Sequence, residues 1–182
     1  TQTNVKRMLA YSSIAHTGYI LAGLAAYAAA TDPDVAAAAI EAVVFYLVGY
    51  SVMNIAAFAV VGMLQRDVRR YGGLGSFAGL AGRQPALAAA MTVLLLSLTG
   101  IPPTVGFVAK LYILLATVDA ARYWLAVAIA LNAALAAFYY LRVVVYMYMR
   151  DPEADPAEVE RSGVGRLALV LSVAGVILLG VF

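Results

Sequence analysis

The stretch Thr99-Gly100-Ile101-Pro102-Pro103-Thr104-Val105-Gly106-Phe107-Val108-Ala109-Lys110 lies inside an apolar run that extends from Pro85 to Val118. As one continuous helix this run would be ~50 Å long, whereas the hydrocarbon core of a bilayer is ~30 Å thick. The two prolines lack backbone N–H donors, and the two glycines are conformationally permissive. We therefore predict a membrane helix that is broken at residues 100–106.

Lys110 follows this break directly and lies inside a run that contains no Asp or Glu. A broken helix is tolerated in lipid only where protein or a water-filled cavity covers the freed backbone groups. An ionisable side chain at that depth is costly and therefore marks a functional site. We predict that Lys110 holds and releases a proton. The alternative is a lysine permanently neutralised by a buried acid, which another part of the protein would have to supply.

The composition is that of an integral membrane protein. Of the 182 residues, 64% are apolar and only 12% are charged, against about 45–50% and about 25% in soluble domains. The absence of cysteine excludes disulfides and thiolate metal sites, and the net charge of +2 gives no indication of nucleic-acid binding. The chain begins with Thr1 and shows no signal-peptide pattern. We interpret it as a fragment whose beginning lies elsewhere.

Apolar runs predict an all-α, polytopic transmembrane helix bundle that forms a single membrane domain, 1–182. Its five spans are about 8–30, 36–64, 85–118 (broken at 100–106), 123–148 and 165–182. If each run crosses once, nine of the basic residues share one side: Lys6, Arg7, Arg66, Arg69, Arg70, Arg83, Arg150, Arg161 and Arg166. The positive-inside rule then places the Lys6 and Arg66–Arg70 loops in the cytoplasm and the C-terminus outside.

Polar residues recur at helical spacing within the first two spans. His16 lies four residues after Ser12, and Tyr46, Tyr50 and Asn54 follow one another at intervals of four, so each set shares a helix face. Interhelical hydrogen bonding accounts for such residues in membranes. The functional alternative is a proton relay at His16, because imidazole titrates near neutral pH, and a hydrated path bordered by Tyr46, Tyr50 and Asn54. On the fourth span, Asn132, Tyr139 and Arg142 leave the same two interpretations open, since Arg142 can also snorkel.

Three stretches resemble the antiporter-like membrane subunits of proton-pumping NADH-quinone oxidoreductase (respiratory complex I). They are Asn4–Tyr19, Gly100–Tyr112 and Tyr139–Val144, and the resemblance extends over essentially the whole chain. The tyrosine-rich second span, together with a Lys110 that no acidic residue follows, is most similar to subunit N of that family.

The resemblance implies the C-terminal part of a fourteen-helix subunit, with most of the second of two inverted repeats. By the same resemblance, Lys110 is the proton-exchanging lysine. We predict that His16, Tyr46 and Tyr50, with waters near the Gly100–Gly106 break, relay its proton. Lys6 has no channel role. This chain would hold no cofactor, because NADH, flavin, iron–sulfur clusters and quinone belong elsewhere in the complex. Its partners would be the other membrane subunits and the lipid of the bacterial cytoplasmic membrane.

Three other interpretations stay open at this point. The chain could be a subunit of an Mrp-type cation/proton antiporter or of a membrane-bound hydrogenase. It could also be a purely structural membrane scaffold, in which Lys110 is a fixed ion-pair partner.

Overall fold

The computed structural model describes residues 2–64, 73–152 and 163–181, and regular structure in these residues is helical. The helices are α1 (Val5–Ala29), α2 (Pro33–Leu64), α3 (Leu80–Arg83), α4 (Pro85–Thr99), α5 (Val105–Asp119), α6 (Tyr123–Met149) and α7 (Gly163–Val181), with a 3-10 turn at Leu74–Phe77. Within the described ranges the only β contact is an isolated bridge between Asn4 and Gly73. The predicted all-α fold is confirmed.

Capping residues that are recognisable in the sequence mark the N-termini of the first two helices. The side chain of Asn4 accepts a hydrogen bond from the Arg7 N–H at 3.0 Å and so caps α1. The carboxylate of Asp32 accepts from the Asp34 N–H at 2.8 Å, and Pro33 occupies the first position of α2. Proline is favoured there because its missing N–H has no intrahelical partner in any case.

The broken helix consists of α4 and α5, joined by residues 100–104. Gly100 ends α4 in the left-handed conformation at φ +92°, and its N–H donates to the carbonyls of Leu96 and Ser97. Gly106 has a different role, because it lies in the first turn of α5, where a Cβ would overlap the Ser97 carbonyl. This glycine permits close contact between α4 and α5.

The apolar core consists of two clusters of buried side chains, which meet near the break between α4 and α5. Residues of α4 pack with α1, α2, α6 and the segment 74–80 in one apolar cluster, which includes Leu9, Met53, Phe77 and Leu94. Residues of α5 from Ala109 onwards pack with α1, α2 and α6 in a second cluster. The polar groups described below lie where the two clusters meet.

One end of the bundle gathers four of the basic residues that the structure describes. The Leu74 N–H donates to the Thr3 carbonyl at 2.8 Å, and the Gly79 N–H donates to the Tyr146 carbonyl at 3.3 Å. These contacts bring the start of α1, the segment before α4 and the end of α6 together, and with them Lys6, Arg7, Arg83 and Arg150. The Arg66–Arg70 loop, Arg161 and the side chain of Arg166 lie outside the described residues.

At the opposite end, a cavity of about 270 Å³ is lined by Asp32, Asp119 and Arg122. By length and composition alone, two of the described helices, α2 and α6, are long and apolar enough to cross a membrane. Helix α7 extends along α4 to the level of the break, where Gly180 packs against Thr104.

Candidate functional site

Lys110 is buried on α5, with only 6% of its surface exposed, and its ammonium group contacts the last turn of α4. The Nζ donates to the carbonyl oxygens of Leu98 at 2.7 Å and Thr99 at 2.8 Å. Carbonyls in the last turn of a helix lack intrahelical donors, and the helix dipole places partial negative charge there. The break therefore supplies the acceptors for Lys110, and no carboxylate bonds to it within the described residues.

Gly100 provides the space for this contact. A Cβ at position 100 would lie 3.0 Å from the Cδ of Lys110 and 3.3 Å from its Nζ. The lysine side chain therefore passes directly over the glycine that ends α4. Position 100 needs glycine for its backbone conformation and again for the path of the side chain.

Tyr19 of α1 lies on the other side of the ammonium. The Nζ of Lys110 is 5.2 Å from the centroid of the Tyr19 ring, within the range of a cation–π contact. The Tyr19 hydroxyl is buried and has no hydrogen-bond partner of ordinary geometry among the described residues, although Asn132 of α6 lies near it. Buried hydroxyls are nearly always paired, so this oxygen is available to another polar group.

His16 joins three helices at the next level of the site. Its Nδ1 lies 2.6 Å from the hydroxyl of Tyr46 on α2, and its Nε2 lies 3.4 Å from the hydroxyl of Tyr140 on α6. The ring of Tyr50 stacks on the imidazole at 4.4 Å, and its hydroxyl donates to Ser13 at 2.9 Å. A neutral imidazole has one donor and one acceptor nitrogen, and both can be satisfied by hydroxyls. This arrangement can pass a proton from one ring nitrogen to the other.

A cavity of about 330 Å³ lies between α1 and α6 on the basic side of this cluster. Its lining includes Ser12, Asn132, Tyr139 and Arg142, and it extends to Gln2 before α1. The three polar residues that the sequence singles out on the fourth span therefore share one cavity. Ser12 lies one turn from His16 on α1, so the cavity reaches the relay cluster from the basic end.

The structure brings His16, Tyr46 and Tyr50 into one cluster and links that cluster to Lys110 through Tyr19. Asn54 shows no hydrogen bond to this cluster: its amide oxygen is buried and makes no hydrogen bond within the described part of the chain. Lys6 is exposed at the start of α1.

Sequence reasoning missed Tyr140 and the backbone carbonyls that hold Lys110. The Tyr139–Tyr140 pair was visible in the sequence, but Tyr139 appeared to be the functional member. In the structure Tyr140 is fully buried and contacts His16, whereas Tyr139 is half-buried and lines the cavity.

Comparisons with known proteins agree with this architecture. A family model described as NADH:quinone oxidoreductase/Mrp antiporter, TM, matches residues 1–136. The chain is 46% identical over 183 residues to NADH-quinone oxidoreductase subunit N 1 of Solibacter usitatus, an alignment that covers 100% of this chain and 36% of that protein. The chain thus spans little more than one third of the length of this curated relative.

Two solved structures share the fold over 100% of this chain. A subunit of respiratory complex I from Thermus thermophilus with bound aureothin is 31% identical, has a TM-score of 0.83 and is covered over 39% of its length. A chain of the Mrp complex from Dietzia sp. is 26% identical, has a TM-score of 0.73 and is also covered over 39% of its length.

Proposed function

The chain belongs to the NADH:quinone oxidoreductase/Mrp antiporter family of transmembrane subunits, and from that premise we propose that it moves protons across the membrane through Lys110. The full protein is a subunit N of a bacterial NADH-quinone oxidoreductase, and this chain holds most of its second inverted repeat. The proposal depends on one observation above all: the Lys110 ammonium is held by two carbonyls of the broken helix.

This geometry leaves the charge of Lys110 free to change. An ion pair with a carboxylate would fix the lysine in its charged form, whereas carbonyl oxygens accept hydrogen bonds from the ammonium and from the neutral amine. The dipole of α4 stabilises the ammonium, and the low dielectric of the membrane opposes it. A lysine between these two effects is suited to take up and release a proton.

The His16 cluster forms the path on the basic side. Protons enter the cavity bounded by Asn132 and Arg142, pass the Tyr140 hydroxyl and His16, and reach Lys110 along Tyr19. The unpaired hydroxyl of Tyr19 suits a water molecule that bridges the cluster and the lysine. Tyr46 and Tyr50 orient the imidazole.

The basic end, with Lys6, faces the cytoplasm; the positive-inside rule assigns the Arg66–Arg70 loop to the same side and the C-terminus to the outside. Protons leave toward the end that carries Asp32 and Asp119. Quinone reduction in other subunits drives this transfer. Those subunits also bind NADH, flavin and the iron–sulfur clusters, and the remaining contacts of this chain are with membrane subunits and lipid.

A structural role for Lys110 is the second candidate, and a specific observation favours it. The same two hydrogen bonds that hold the ammonium also cap the C-terminus of α4. In that case the lysine would stabilise the break without exchanging a proton, and the chain would be a scaffold for the complex.

The test is Lys110→Ala in the full-length subunit, assembled in the complete complex in inverted membrane vesicles. NADH-driven proton uptake is measured alongside NADH oxidation and the amount of assembled complex, with Lys6→Ala as the matched control. The proposal requires an assembled Lys110→Ala complex that no longer pumps normally. Near-normal pumping would refute it, and loss of assembly would support the scaffold. Co-purification with flavin and iron–sulfur subunits separates the oxidoreductase from an Mrp-type antiporter.

A further inference from the structure

We propose that Ser97 is a positioning residue: its hydroxyl, held between Met53 and Gly106, fixes the distance between Lys110 and its two carbonyl acceptors. This inference rests on the proposed role of Lys110. It concerns a side chain that does not contact the lysine. It explains how α2, α4 and α5 are held in fixed positions relative to one another at the break.

The Ser97 hydroxyl bonds to two other helices at once. Ser97 is fully buried in the last turn of α4. Its Oγ donates to the Sδ of Met53 on α2 at 2.8 Å and accepts from the N–H of Gly106 on α5 at 3.1 Å. One small side chain thus connects α2, α4 and α5 at the level of the break.

The other hydroxyl residues of α4 behave differently. Thr92 donates to the Ala88 carbonyl at 2.8 Å, and Thr99 donates to the Leu95 carbonyl at 2.8 Å, so each bonds within its own helix. Serine and threonine in membrane helices commonly make this local bond. Ser97 makes a tertiary hydrogen bond instead, because the sulfur of Met53 accepts a hydrogen bond from its hydroxyl.

The Gly106 N–H is a group that needs such a partner. It lies in the first turn of α5, where the backbone N–H groups have no intrahelical acceptor. A buried N–H without a partner is strongly disfavoured. Since a Cβ on Gly106 would overlap the Ser97 carbonyl, the first turn of α5 lies directly on the last turn of α4.

Two contacts therefore connect the same pair of helical turns. Ser97 holds Gly106, and the next two carbonyls along α4 hold Lys110, which lies about one turn after Gly106 on α5. A shift of α5 against α4 would change both contacts together. We call these contacts between the last turn of α4 and the first turns of α5 the Ser97 joint. The Ser97 hydroxyl is the side-chain group of α4 that takes part in it.

Met53 adds the connection to the relay cluster. It lies seven residues after Tyr46, two turns along the same face of α2. Tyr46 contacts His16 at 2.6 Å, so one continuous helix holds both the imidazole and the Ser97 joint. Because Met53 and Tyr46 are both on α2, this helix fixes the position of Lys110 relative to His16, which delivers its proton.

The experiment compares Ser97→Ala and Met53→Leu in the assembled complex, with Thr92→Val as the matched control. The measurement is the pH profile of NADH-driven proton uptake in inverted vesicles, because a change in the surroundings of Lys110 moves that profile. His16 and Tyr19 of α1 are the titratable neighbours that face the lysine, and neither is altered. Thr92→Val removes a hydroxyl that bonds only its own helix.

We expect Ser97→Ala to lower pumping by about fivefold or more, as one unpaired buried N–H implies, and to displace the pH profile. Met53→Leu should displace it in the same direction, and the double variant should add little, because both changes break one joint. If Ser97→Ala does not assemble, Met53→Leu alone provides the test.

Unchanged pH profiles in the variants, or a Thr92→Val effect of equal size, would overturn the inference. If Lys110→Ala abolishes pumping while Ser97→Ala and Met53→Leu match the control, only this inference fails. If Lys110→Ala still pumps, the proposed function itself fails.

Discussion

The Nζ of Lys110 lies 2.7 Å from the carbonyl oxygen of Leu98, so the end of one half-helix stabilises a charge carried by the other. The break in the membrane helix exposes an acceptor that an intact helix would use for its own hydrogen bonds. A lysine at this depth without such an acceptor would be a buried, unpaired charge, which is strongly disfavoured. The broken helix and the lysine therefore depend on each other.

Lys110→Arg separates the charge of residue 110 from its ability to exchange a proton. The guanidinium keeps a positive charge and can donate to the same carbonyls, but it does not deprotonate in proteins. We expect the complex to assemble and to lose proton uptake about as completely as with Lys110→Ala. NADH-driven uptake in inverted vesicles measures this, with Lys6→Arg as the control. Pumping at the normal rate would show that proton release from residue 110 is not required.

Gly100→Ala alters the site without replacing a titratable residue. Alanine at φ +92° is strained by about 1–2 kcal/mol, and its Cβ would lie 3.0 Å from the Cδ of Lys110. We expect assembly at a reduced level and pumping lowered several-fold, because the lysine can no longer lie over the end of α4. The control is Gly62→Ala on α2, where an added Cβ meets no atom within 4 Å. Equal behaviour of the two variants would contradict the packing described here.

The sequence was sufficient to predict the break and a lysine buried just after it, since prolines, glycines and an isolated charge in an apolar run are visible as residue types. The acceptors of Lys110 could not be predicted, because they are backbone carbonyls and any residue carries one. The sequence also could not show which of Tyr139 and Tyr140 contacts His16. Adjacent residues point about 100° apart on a helix, and the partner of Tyr140 is His16, 124 positions away.

The two tyrosines that contact His16 should differ in importance. Tyr46 lies 2.6 Å from Nδ1, whereas Tyr140 lies 3.4 Å from Nε2, near the limit for a hydrogen bond. We therefore expect Tyr46→Phe to lower proton uptake roughly tenfold, which corresponds to about 1.4 kcal/mol, and Tyr140→Phe to have a smaller effect. Tyr123→Phe is the control, because Tyr123 is 63% exposed at the start of α6, away from the entry cavity. The reverse order of effects would show that proton transfer past the Tyr140 hydroxyl limits uptake more than the orientation of the imidazole by Tyr46 does.

Gly106→Ala tests the close contact between α4 and α5 by its effect on stability. An added Cβ would overlap the carbonyl of Ser97, and because both groups belong to the backbone, neither can move aside by a change of rotamer. Overpacking of this kind costs typically about 1–3 kcal/mol and sometimes more. We expect a lower thermal denaturation midpoint and less assembled complex. Gly175→Ala on α7, where an added Cβ meets nothing within 4 Å, should behave like the unmodified protein. A Gly106→Ala complex of unchanged stability would mean that the two half-helices do not touch as described.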